Sequence, residues 1–153
     1  MIGLPACGGG SGGGESRSSA NAAWQRNLPP DPGSAATASL TGVDVNNNGL
    51  RDDLERNAAM TANSEESFQA TASLMRALQR TIDPSTTGEN VAEVAQEAYC
   101  AAKNRPESAN DDLPEDVLDA LVFDTEERRA ARRDYIRSYG VRTTSEGETS
   151  CEQ

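Results

Sequence analysis

The sequence predicts an all-α protein: a small domain of about four to five helices behind a disordered, Gly/Ser/Pro-rich N-terminal tether. Three observations carry that reading. From residue 50 onward, apolar residues recur at helical spacing between capping signals. No run alternates apolar and polar residues long enough to make a strand. The first 39 residues differ in composition from the rest, holding eight of the 13 glycines and four of the seven prolines.

The run Gly8–Gly14 is a flexible linker by composition. No helix or strand period is sustained over 15–39, and Leu28-Pro29-Pro30-Asp31-Pro32 reads as an extended, polyproline-like spacer. Residues 8–39 are therefore expected to form the tether. Within it Trp24 reads as a solvated residue of a mobile arm, with docking on the domain as the alternative. The helical domain is expected over 40–140, followed by a polar tail, 141–153.

Its first helix starts near Asp52 and runs to about Ala62. Asn63-Ser64-Glu65-Glu66 has the spacing of a helix cap. Phe68, Ala72, Met75, Leu78/Gln79 and Ile82 then follow a 3.6-residue period until Asp83-Pro84 ends it. A second stripe over 89–103 comprises Val91, Val94, Ala95, Ala98, Tyr99 and Ala102. A further helix begins near Pro114, a residue suited to a first turn, and carries Val117, Leu118, Leu121 and Val122. Asp124-Thr125-Glu126-Glu127 repeats the capping spacing and opens a last helix to Tyr139, stopped at Gly140.

Composition narrows the function. Among 153 residues, 14 Lys and Arg face 25 Asp and Glu, a formal charge of −11, with no histidine. Such a chain does not find nucleic acid or an anionic membrane by charge. Without histidine there is no Ser-His-Asp or Cys-His catalysis and no His-ligated metal. Leu, Ile, Val and Phe total 22 residues, about 14 % of the chain. Less than roughly 20 % at high charge leans towards disorder, so the folded part needs a staple. No segment of 18 apolar residues spans a membrane.

The sharpest motif is Asp44-Val45-Asn46-Asn47-Asn48-Gly49-Leu50-Arg51-Asp52-Asp53-Leu54-Glu55. It resembles an EF-hand calcium loop. Short oxygen-bearing side chains stand at positions 1, 3 and 5, with glycine at the sharp turn. A backbone carbonyl follows at 7, and a carboxylate at 12 supplies two oxygens. The resemblance implies Ca²⁺ ligands from Asp44, Asn46, Asn48, the Leu50 carbonyl, Asp52 (through water) and Glu55. Two features depart from a paired EF-hand: Arg51 stands where an aliphatic residue is usual, and no periodic helix enters the loop. A solitary, half-framed loop implies modest affinity, about 10⁻⁴–10⁻³ M or somewhat tighter, and a structural clamp rather than a sensor. The alternative is an Asn/Gly-rich turn capping a helix.

Leu4-Pro5-Ala6-Cys7, followed by the glycine run, resembles a bacterial lipobox. That resemblance implies lipid on Cys7 and residues 1–7 as the remnant of a lipoprotein signal peptide. Because only Met1-Ile2-Gly3 precede the box, it also implies an apolar leader encoded upstream. Gly8 after the cysteine points to the outer membrane. If Cys7 carries lipid, Cys100 and Cys151 remain and can pair in an oxidising compartment. Cys100 lies nine residues after Val91, off the apolar stripe. The alternative is two reduced thiols in a cytosolic protein.

Arg128, Arg129, Arg132, Arg133 and Arg137 read as a solvated, salt-bridged helix face, with Tyr135 and Tyr139 packing inward beside Ala131. The acidic residues Asp111, Asp112, Glu115, Asp116 and Asp119 read as the negative start of a helix. Neither a phosphate-binding loop nor a credible catalytic pair is present, and no small-molecule substrate is evident. The function expected is a calcium-binding cell-envelope lipoprotein, not an enzyme, with a structural or protein-interaction role and an envelope protein as partner. The alternative is a secreted or periplasmic, non-lipidated calcium-binding adhesion or matrix module.

Overall fold

A computed structural model describes residues 22–86, 90–139 and Cys151. It is all-helical: α1 (Asp52–Thr61), α2 (Glu65–Arg80), α3 (Val91–Lys103), α4 (Glu107–Asp112), α5 (Glu115–Val122) and α6 (Glu126–Tyr139). Two 3₁₀ turns, Ala23–Gln25 and Gly33–Thr37, precede them. Cys7, the glycine run and residues 141–150 lie outside the described residues.

α2 is the hub, packing on α1, α3, α4 and α5. Its core face is the predicted one, with Phe68, Ala72, Met75, Leu78 and the following Ile82 all buried. Leu50 and Leu54 meet it from the loop and α1, and Leu118, Val122 and Phe123 from α5 and its end. Full burial of a Leu- or Met-sized side chain contributes about 1.5–3 kcal/mol. Few such residues are available here. Much of the remaining buried surface is alanine, including Ala36, Ala58, Ala59, Ala62, Ala77 and Ala109.

Several sequence expectations need correction, three of them within the helices. First, Ser64 rather than Asn63 caps α2, its hydroxyl accepting the Ser67 N–H at 3.1 Å. Asn63 instead donates from its backbone to Asp112. Second, α4 was not foreseen, and Asp111 and Asp112 end it rather than open a helix. The buried Arg105 closes this corner, donating to the Ala109 carbonyl at 2.7 Å and the Leu113 carbonyl at 2.6 Å. Third, the α3 stripe runs through Val91, Val94, Ala98 and Ala101, while Tyr99 is 49 % exposed. That phase places Cys100 beside the contact with α2, half-buried.

The described part of the expected tether, 22–39, is packed on the domain. Trp24 and Leu28 lie against the core and Pro29 and Ala36 are buried. Gln25 donates to the Ala59 carbonyl at 2.9 Å and Arg56 to the Pro29 carbonyl at 2.9 Å. The expectation failed because these contacts are backbone carbonyls and isolated rings, which leave no periodicity to read.

Arg128 holds the other half of this segment. It is fully buried on α6, so it does not belong to the solvated face expected of it. Its guanidinium donates to the carbonyls of Ala36 at 2.6 Å, Ser39 at 2.9 Å and Leu40 at 3.0 Å, and pairs with Asp124 at 2.6 Å. The outer arginines behave as read: Arg129 and Arg133 reach Glu126, and Arg137 reaches Asp134. Arg132 lies over the rings of Phe123 and Tyr135. Ala131 packs against the core, and the Tyr139 side chain is outside the described set.

Cys100 and Cys151 form a disulfide across 51 positions, with Cα atoms 5.3 Å apart. It ties the end of the chain to α3.

Two stability predictions follow from this architecture. The Cys100→Ser/Cys151→Ser protein is expected to lose about 4 kcal/mol in the chain-entropy account, read as a lower urea midpoint. An unchanged midpoint would place the crosslink outside the stability of the fold. Arg128→Met leaves Asp124 and three carbonyls without their buried donor. It is expected to cost about 3–5 kcal/mol in the same assay. A loss well under 1 kcal/mol would contradict the bridging role.

Candidate metal centre

The loop 44–55 connects the Gly33–Thr37 turn to α1. Its chain path is set by its own side chains. The Asp44 carboxylate accepts the backbone N–H of Asn48 at 3.2 Å and of Gly49 at 2.8 Å. Asn46 Oδ1 accepts the Asn48 N–H at 3.2 Å, and Asn48 Oδ1 the Leu50 N–H at 2.9 Å. These are Asx-type turns, in which a short polar side chain substitutes for a backbone carbonyl. Asn47 and Gly49 take left-handed backbone angles, φ +54° and +81°, which is why a glycine serves at 49.

The turns hold Asp44, Asn46 and Asn48 in one coil. Glu55, one turn into α1, closes it. Its Oε2 accepts the Asn46 amide at 3.0 Å and the Asn48 amide at 2.9 Å. Leu50 places its side chain in the core, anchoring the exit of the loop.

Asp52 takes another position. It is fully buried, and both carboxylate oxygens face the Val45 N–H, at 3.1 and 3.3 Å. It braces the loop from beneath. Burial pushes its carboxyl above the ordinary carboxylate range; the Val45 hydrogen bond opposes this, and repulsion from Asp44, Glu55 and Asp53 adds to it.

Sequence reasoning missed what holds the loop on the domain. Arg51, unusual at its place in the loop, is fully buried. It pairs with Asp53 at 2.7 Å and Asp124 at 3.5 Å, and donates to the Val122 carbonyl at 2.9 Å. From α2, Gln79 accepts the Arg51 N–H at 3.0 Å, and Arg76 Nε donates to the Asn48 carbonyl at 3.1 Å. Gly42, at φ +70°, lets the two buried arginines meet: a Cβ there would lie 2.6 Å from Arg51 Cδ.

What the donor set offers is oxygen chemistry. Among the described residues no group of three or more Asp, Glu or Cys is gathered to hold a metal through those residue types alone. The convergence at 44–55 depends on two asparagine oxygens, donors suited to a hard cation. No described helix is long and apolar enough to cross a membrane. No protein-family model, curated protein or solved structure matches the chain.

Outside the loop, Asp112 accepts from the Ser67 hydroxyl and from Asn63, and these bonds hold its carboxyl below the usual range, the Ser67 bond most. A lowered folded-state value stabilises above the unfolded-state value, near 3.9, and that contribution is lost as pH falls through the folded one. Asp112→Asn is expected to cost about 1–2 kcal/mol at pH 7. Its urea midpoint should approach wild type below about pH 4. A pH-independent gap would show that the charge of Asp112 is irrelevant.

Proposed function

We propose that the protein is a calcium-binding module of the bacterial cell envelope, anchored by lipid on Cys7, in which Ca²⁺ clamps the loop 44–55. The carrying observation is the coil itself. Asp44, Asn46 and Asn48 each take a loop N–H through a side-chain oxygen that keeps acceptor capacity to spare. Glu55 stands at the mouth. On binding, Glu55 exchanges its two amide N–H partners for the ion, and the Leu50 carbonyl completes the set. Asp52 remains the brace beneath, in place of the water-mediated ligand role.

The role is structural, in support of contacts with another envelope protein. An ion at this point joins the segment that packs on α1 to the start of α1, and Arg76 and Gln79 relay the order to α2. The Cys100–Cys151 disulfide supports an oxidising location outside the cytoplasm.

The test is a non-reducing thermal melt of the full chain in excess Ca²⁺, in Mg²⁺ and in a chelator. One site at 100 times its dissociation constant adds about 2.7 kcal/mol. For a domain of this size that is a shift on the order of 10 °C or more. Glu55→Gln, which keeps an acceptor for the asparagine amides, should abolish the shift and leave the chelator melt in place. Superimposed wild-type curves in Ca²⁺ and chelator would reduce the loop to a polar turn.

A further inference from the structure

Between α2 and α3 lies a cleft of about 470 Å³, within the size range of ligand sites. Ala70, Ser73, Arg76, Ala77 and Arg80 form one wall, and Gln96, Glu97, Cys100, Ala101 and Asn104 the other, with Cys151 at the rim. Nothing in the sequence pattern announced it. It exists because small residues face each other where two helices would otherwise close, and because the disulfide stands between them.

The polar groups of this cleft are unequally satisfied. Arg80 reaches across to Glu97 and Glu93 and is neutralised there. Arg76 has no acidic partner among the described residues, although acids far outnumber bases in the chain. Its Nε is occupied by the Asn48 carbonyl, which leaves the two terminal nitrogens as a fork of donors. With Arg80 matched by Glu97 and Glu93, the cation of the cleft left to meet an anion is Arg76. Its complement is a single carboxylate.

The body of that ligand is constrained by the opposite wall. The amide nitrogens of Gln96 and Asn104 are used internally, on Cys100 Sγ at 3.0 Å and the Cys151 carbonyl at 3.3 Å. Their side-chain oxygens accept no hydrogen bond from the described residues. The cleft therefore presents a guanidinium fork suited to a carboxylate and two acceptors that want N–H groups, between walls that carry Ala70, Ala77 and Ala101. From Ala70 to Arg80 it runs about 15 Å along α2, the length of roughly four extended residues.

We propose that this cleft binds the C-terminal end of a short peptide, Arg76 taking the carboxylate and the Gln96 and Asn104 oxygens accepting backbone N–H groups. Small side chains fit the alanine walls best. Arg76 is shared with the loop through the Asn48 carbonyl, and titrations with and without calcium separate the two sites.

The probe is N-acetyl-trialanine, titrated into the oxidised full chain and followed by amide NMR shifts, in calcium and in chelator. Saturable shifts are expected at Ser73, Gln96, Ala101 and Asn104. The same peptide with a C-terminal amide should bind about tenfold or more weakly, as expected for loss of one charge-assisted pair. Arg76→Gln should weaken the acid to the level of the amide, while Arg129→Gln, exposed on α6, should bind normally. Ser73→Phe, which plugs the cleft from an exposed position, should abolish the shifts. No saturable shift at about 10 mM peptide, a range reserved for binding weaker than millimolar, overturns the proposal. So does equal binding of acid and amide by the wild-type chain, a comparison that needs no variant to fold.

Discussion

The arrangement on which the rest depends is the buried pairing of Arg51 and Arg128 around Asp124. Arg51 belongs to the loop and Arg128 to α6, and their guanidiniums reach the same carboxylate, at 3.5 and 2.6 Å. Arg51 also pairs with Asp53, and both arginines donate to carbonyls outside the regular helix ladder. Arg51 takes those of Leu121 and Val122 at the end of α5, and Arg128 those of Ala36, Ser39 and Leu40. Arg105 donates to the Leu113 carbonyl past the end of α4, and shares the Ala109 carbonyl with the Leu113 N–H. Helix ends and irregular turns leave carbonyls unpaired, and burying them without donors is costly. A chain with about 14 % large aliphatic and Phe residues cannot cover these segments with apolar mass. It covers them with guanidiniums, whose planar fork reaches several acceptors at once.

That solution places positive charge inside an acidic protein. Burying a cation is favourable only when its partners are complete. Here the partners come from segments far apart in sequence, so the 33–43 segment, the loop, the end of α5 and the start of α6 are ordered together or not at all. Gly42 is the point of closest approach, where even a methyl group would collide with Arg51. The candidate metal loop inherits its rigidity from this arrangement: Leu50 is in the core and Arg51 in the network, while the oxygen-bearing residues 44–48 stay towards solvent.

The longer helices were legible because each announces itself locally. The α2 stripe and the start of α1 near Asp52 follow from period and punctuation. α4 was not legible, since six residues are too few to show a period and its corner is closed by Arg105 from outside. Nor was the docking of 22–39, whose contacts are made mainly by carbonyls, a group every residue possesses. In the site, the coil of Asp44, Asn46, Asn48 and Glu55 was readable because short oxygen-bearing side chains at alternate positions have few other uses. Arg128 was misread because charge in a sequence is taken as solvation by default, and the loop motif carries no signal for the burial of Arg51. What betrays a buried arginine is its acid, and Asp124 lies 73 residues from one of its two partners.

The same accounting explains why the surface is so acidic. With Arg51, Arg105 and Arg128 consumed internally, fewer cations remain outside, and those on α6 are largely matched by Glu126 and Asp134. The exterior field is therefore more negative than the sequence total conveys, and it is strongest where carboxylates have no basic neighbour. Asp44 and Glu55 are such a pair: neither forms an ion pair among the described residues, and the partners of Glu55 are neutral amides. Arg51 sits close by in sequence, yet its charge is turned inward to Asp53 and Asp124 and does not offset them. The loop thus keeps its negative charge although Arg76 lies against it, because that guanidinium spends Nε on the Asn48 carbonyl and pairs with neither carboxylate.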